Sequence, residues 1–182
     1  MKQALNEQEL AIKYKYNYAN MVTLLNLSMG CLALLCTFDD KPILATIFIL
    51  IAAILDRFDG QLARKSGMVT DLGKELDSLS DLVSFGVAPV MLLWSLALND
   101  ILIYGRGIAI AFILAGAYRL AKFNVTEFDG YYIGMPITIA GGLLAIISAI
   151  TIKYDLSPYL LAFFTLILSF SMISNKIKLA KK

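Results

Sequence analysis

The chain has 182 residues, of which 59% are hydrophobic and only 16% are charged, with a mean hydropathy of +0.73. A soluble domain is nearer half apolar and a quarter charged, so this balance points to one polytopic helical membrane domain. The net charge of +2 gives no basis for a nucleic-acid partner, and the absence of histidine excludes Ser-His-Asp and Cys-His catalysis and imidazole metal sites.

Residues 1–19 are too long and too polar ahead of the first apolar run for a cleavable signal peptide. They are expected to form an amphipathic juxtamembrane segment, with Lys13, Lys15, Tyr14, Tyr16 and Tyr18 at headgroup level. A disordered polar tail is the competing reading. Residues 20–175 then divide into six apolar segments at about 20–38, 42–63, 75–98, 101–122, 132–152 and 157–175. The predicted fold is therefore an all-α integral membrane protein with six transmembrane helices, followed by a basic tail at 176–182. Short polar connections, such as Asp39-Asp40-Lys41-Pro42 and Asn99-Asp100, join antiparallel neighbours. Cys31 and Cys36 do not share a helix face and are read as small buried core residues. Trp94 and the tyrosines Tyr104, Tyr154 and Tyr159 are assigned to the aromatic belt, and Arg106 to an interface anchor.

Basic residues set the orientation. With the N-terminus inside, the cytoplasmic side collects Lys2, Lys13, Lys15, Arg57, Arg64, Lys65, Lys74, Arg119, Lys122, Lys176, Lys178, Lys181 and Lys182. Only Lys41, Arg106 and Lys153 fall outside. Both termini are thus expected in the cytoplasm, in a multi-pass protein of the cell membrane.

Against this apolar background the second and third segments carry Asp56, Asp59, Asp77 and Asp81. At 100° per residue, Asp56, Asp59, Gly60 and Ala63 share one helix face. Gly73, Asp77, Asp81 and Ser84 share another. If the two helices are antiparallel neighbours, the carboxylates meet just below the cytoplasmic interface. Gly60, Ala63 and Gly73 remove bulk from the same surface, either for helix packing or to admit a flat ligand. Ionisable groups at bilayer depth are costly and usually functional. Three readings compete: a solvated helix-end cluster, a proton or cation pathway, and a divalent-metal site that handles phosphates.

The eight residues Asp56, Asp59, Gly60, Ala63, Arg64, Gly73, Asp77 and Asp81 match D-x2-D-G-x2-A-R-x8-G-x3-D-x3-D, with every spacing kept. This pattern resembles the signature of the CDP-alcohol phosphotransferase family. The runs SDLVSFGVAP (80–89), YRLAKFNV (118–125), YYIGMP (131–136) and ANMVTLLNLSMG (19–30) resemble its serine-using branch. That branch more usually has Arg at the position of Lys122, which replaces a planar fork by a point charge.

The resemblance implies that Asp56, Asp59 and Asp77 ligate divalent cations, Mg²⁺ or Mn²⁺, and that Asp81 contacts the second of two ions. Asp81 would also be the general base, taking the proton from the attacking alcohol. Gly60, Ala63 and Gly73 would lie against the cytidine of a CDP-linked lipid, Arg64 would assist its phosphates, and Asn20, Thr23 and Asn26 would meet its polar groups. Arg119, Lys122 and Asn124 are candidates for holding serine or a lipid phosphate, against a plain anchoring role. The implied reaction transfers a phosphatidyl group from CDP-diacylglycerol to L-serine and releases CMP. Glycerol phosphate or inositol phosphate are alternative acceptors, and a cation or proton transporter is the reading from another class. Membrane lipids are the surrounding partners, and a homodimer is what the family implies.

Overall fold

The computed structural model describes residues 2–66, 70–126, 131–174 and 178–180, with side chains over 20–58, 70–126 and 134–174. The described polypeptide is built mainly of helical rods. They are α1 (Lys2–Phe38), α2 (Pro42–Ser66), α3 (Asp71–Asp81), α4 (Ala88–Leu96), α5 (Leu102–Val125), α6 (Ile137–Lys153) and α7 (Pro158–Ile173). A π-helical stretch, Leu82–Val87, links α3 to α4, so that Asp71–Leu96 runs as one rod. Among the described residues, three helices are long and apolar enough to cross a membrane: Asn20–Phe38, Asp71–Leu96 and Leu98–Val125. The helices Ile137–Lys153 and Pro158–Ile173 are apolar but shorter.

Helix is what this chain must adopt in lipid, where every backbone N–H and C=O has to be satisfied within its own segment. The outer surface fits that solvent. Phe163, Phe170, Leu114 and Ile103 project outward, each more than 60% exposed, a pattern water would penalise. The core holds Phe85, Phe112, Leu92, Leu93, Ile137 and Leu144 with no exposed surface. Since lipid tails are as apolar as these residues, close packing and interhelical hydrogen bonds must hold the rods together.

Local signals explain the ends. Helix α1 stops in a Schellman arrangement: Asp40 takes a positive φ of 54°, and the Lys41 N–H donates to the Cys36 carbonyl at 2.8 Å. Helix α3 starts at the N-cap Thr70, whose hydroxyl accepts from the Gly73 N–H at 3.1 Å. Three-residue strands β1 (Tyr131–Ile133) and β2 (Lys178–Ala180) pair antiparallel, an addition to the expected all-α fold. Gly134, at φ +81°, then turns the chain so that Met135 N–H donates to the Ser171 carbonyl at 3.0 Å. The fifth apolar segment therefore becomes helical at Ile137 and not at 132.

Several other expectations need correction. Cys31 is exposed on the outward face of α1, while Cys36 packs partly against the core. Trp94 is half-buried against the core, with its indole N–H enclosed and unpaired among the described residues. It follows the enclosed face of α4 beside Leu92 and Leu93, whereas Tyr104, Tyr154 and Tyr159 are exposed as belt residues should be. Arg106 is exposed. The backbone of α1 continues without a break through residue 19, and the side chains of residues 1–19 and of the basic tail lie outside the described residues.

Candidate metal centre

The two acid-bearing helices converge. Carboxylate oxygens of Asp56 (α2), Asp77 and Asp81 (α3) all lie within 4.8 Å of one another, and among the described residues they form the acidic group able to hold a metal ion. Asp81 is buried, and Asp56 and Asp77 are half-buried. Three carboxylates this close repel one another unless positive charge sits among them, and an all-oxygen set is the donor chemistry preferred by hard divalent cations. The residues therefore fit Mg²⁺ or Mn²⁺. The side chains of Asp59, Gly60, Ala63 and Arg64 lie outside the described residues, although their backbone continues α2.

Helix α1 supports the cluster. The Ser80 hydroxyl donates to the Thr23 carbonyl at 3.1 Å, and the Ser84 hydroxyl donates to the Asn26 carbonyl at 3.1 Å. These serines flank Asp81 and bolt its rod to α1. Ser84 thus faces α1, as does Ser80 four residues earlier. A π-helical stretch begins one residue after Asp81. Gly30 lets the backbones close up: a Cβ there would lie 2.8 Å from Ser84 Cα.

The predicted lipid-side residues divide by depth. Asn20 lies against Gly73, where an added Cβ would sit 3.3 Å from the Asn20 Oδ1. Thr23 is buried, and Asn26 has no exposed surface, its amide unpaired among the described residues. Asn20 and Gly73 thus share one location near the helix ends, with Asn26 deeper in the α1–π contact.

Helix α5 contributes from the opposite side. Arg119 is half-buried, lies within electrostatic reach of Asp81, and has an unpaired buried Nε among the described residues. Asn124 donates through Nδ2 to Glu75 Oε1 at 3.2 Å and to Ser78 Oγ at 3.0 Å, while Lys74 Nζ donates to its backbone carbonyl. Asn124 therefore latches the end of α5 to α3, with its buried Oδ1 accepting nothing among the described residues. Lys122 is half-buried on the same turn. One contributor was missed from sequence: Thr138, in the first turn of α6, donates to Asp56 Oδ2 at 3.3 Å. No local pattern distinguishes this hydroxyl from others in apolar helices.

Comparison with known proteins bears on this geometry. The family described as CDP-alcohol phosphatidyltransferase matches residues 16–175. A CDP-diacylglycerol--serine O-phosphatidyltransferase of Bacillus subtilis (strain 168) is 42% identical over 156 residues, covering 85% of either chain. A protein of the same name from Methanocaldococcus jannaschii is 43% identical over 70% of this chain and 58% of its own length. An archaetidylserine synthase of Methanothermobacter thermautotrophicus is 35% identical over 86% of this chain and 66% of its own. The match spans the converging helices with their acids, and the chain belongs to the CDP-alcohol phosphatidyltransferase family, a family of phosphotransferases.

Proposed function

We propose that the protein transfers a phosphatidyl group from CDP-diacylglycerol to the hydroxyl of L-serine, giving phosphatidylserine and CMP. The observation that carries this reading is the convergence of Asp56, Asp77 and Asp81 within 4.8 Å. Asp59, three residues from Asp56 on the same helix face, completes the ligand set for Mg²⁺ or Mn²⁺. When bound, such cations neutralise charge developing on the diphosphate during transfer.

The chain's own residues do the rest. The serine oxygen forms a bond to the phosphorus that carries the diacylglycerol, and the bond from that phosphorus to the CMP oxygen breaks. Asp81 takes the hydroxyl proton. A carboxylate is a weak base for an alcohol, so its fixed position on the bolted α3 rod matters more than its basicity. Arg119 offers an enclosed Nε to the serine carboxylate, and Asn124 offers an enclosed Oδ1 to its ammonium. Lys122 adds positive charge beside them. Asn20, Gly60, Ala63, Arg64 and Gly73 flank the nucleotide and phosphates, with Thr23 and Asn26 buried behind them on α1. An open apolar groove along α2, lined by Leu50, Ala53, Ile54 and Phe58 and ending at Arg57, suits the acyl chains.

The names of the relatives favour serine over glycerol phosphate or inositol phosphate. A phosphorylated acceptor would also call for more positive charge than Arg119 and Lys122 supply. The reading includes six membrane crossings, a homodimer in the cell membrane, and the site and both termini on the cytoplasmic side, where the basic residues concentrate. The test supplies purified protein in detergent with CDP-diacylglycerol, Mn²⁺ and each acceptor in turn, and follows CMP. Release with serine alone is expected. Release only with a phosphorylated acceptor would reassign the substrate, and silence with every alcohol would overturn the enzyme reading.

A further inference from the structure

Hydroxyls buried in the apolar helices mostly serve their own backbone. Thr37, Thr46, Thr151 and Thr165 each donate to the carbonyl four residues earlier, at 2.8–3.0 Å. Thr138 does not. Its Oγ1 donates to Asp56 Oδ2, a contact between residues 82 apart in the chain. A carbonyl four residues before Thr138 would be that of Gly134, which lies outside the helix at φ +81°.

The turn that carries Thr138 is held from two directions. On its N-terminal side, Met135 is hydrogen-bonded to Ser171 on α7, and Gly134 abuts the Met172 carbonyl closely enough to exclude any side chain. One turn further, Gly141 lies on the π-helical stretch, where a Cβ would sit 2.7 Å from Phe85 Cα. Thr138 and Gly141, three apart, share a face of α6. That face thus seats on the segment following Asp81 and reaches Asp56 with its hydroxyl. Ile137, between this anchored Gly134–Met135 segment and Thr138, is fully buried.

We propose that Thr138 is a positioning residue: it fixes which oxygen of Asp56 faces the carboxylate cluster, and so sets how tightly the site takes up its divalent ion. A carboxylate with one oxygen occupied by a donor keeps the other aimed at the ion, the usual contribution of an outer partner to a ligand. This proposal rests on the metal-dependent reading above and adds to it a residue from a helix that carries no acid.

The test follows unfolding temperature in detergent, without substrate, as Mn²⁺ is titrated into wild type, Thr138→Val and Thr138→Ser. Wild type rises with Mn²⁺. Thr138→Val, which keeps the shape and removes the donor, should need about tenfold more Mn²⁺ for half the rise, and Thr138→Ser should stay within about threefold of wild type. Half-saturation of CMP release by Mn²⁺ should shift in parallel, with kcat largely recovered at saturating ion. Equal midpoints for wild type and Thr138→Val would overturn the proposal, as would equal shifts in the Val and Ser variants. A wild type whose unfolding ignores Mn²⁺ would instead overturn the reading on which the proposal rests.

Discussion

Helices α3 and α7 both bury serine or threonine, yet they use the hydroxyls in opposite ways. In α7, Thr165 and Ser169 donate to carbonyls of their own helix, at 2.8 and 2.9 Å. In the α3 rod, Ser80 and Ser84 donate across to α1, and Ser78 accepts from Asn124 on α5. A hydroxyl that returns to its own helix merely hides a polar group from lipid. One that crosses to another helix fixes the relative position of two rods. Asp77 and Asp81 sit on the rod held by cross-links, while α7 contributes apolar packing and the Ser171 carbonyl that holds Met135.

Breaking the acidic rod itself should have the largest effect. Asp81→Asn is expected to lower serine-dependent CMP release by about 10³-fold, the scale of a lost general base, yet to retain CDP-lipid binding better than Asp59→Asn does. Equal loss of binding in both variants, measured by nucleotide titration, would refute this division of roles. On the α5 side, Arg119→Lys exchanges a fork for a point charge and should raise the KM for serine about tenfold, leaving that for CDP-diacylglycerol near wild type. A shift confined to the lipid substrate would move Arg119 to the phosphates.

Two neighbouring glycines on α6 sharpen the contrast more finely. Gly141→Ala would drive a methyl into Phe85 and is expected to cost about 1–3 kcal/mol of stability, whereas nothing lies within 4 Å of a Cβ at Gly142. Thermal unfolding of the two variants should therefore separate clearly, and identical curves would contradict the close contact at the π-helical stretch. The smallest effect concerns the hydroxyls. Ser84→Ala should cost about 0.6 kcal/mol and reduce turnover, since it loosens the rod that carries Asp81, while Ser169→Ala should leave turnover unchanged.

Much of this arrangement was legible from the residues alone, because the bilayer imposes strict rules. Charges interrupt apolar runs only at helix ends or sites, and the spacings of Asp56 from Asp59 and of Asp77 from Asp81 place each pair on one face. What escaped depends on contacts remote in sequence. Thr138 reads as one more hydroxyl in an apolar segment until α6 is docked beside α2. The π-helical stretch has no period that marks it in the sequence. Asn124 stands out in the sequence for its amide alone; that its nitrogen holds Glu75 and Ser78, leaving only the oxygen for a substrate, is a pairing that exists only once α3 and α5 meet. Cys31 and Trp94 misled for a simpler reason. In lipid, polarity does not tell which side of an apolar helix faces inward, so their exposure follows helix phase and neighbouring bulk.

Holding divalent cations is the role proposed for the converging carboxylates, and removing those cations tests it most directly. Serine-dependent CMP release by the purified protein should vanish in EDTA and return when Mn²⁺ is restored in excess. Turnover that persists undiminished through chelation would contradict the account.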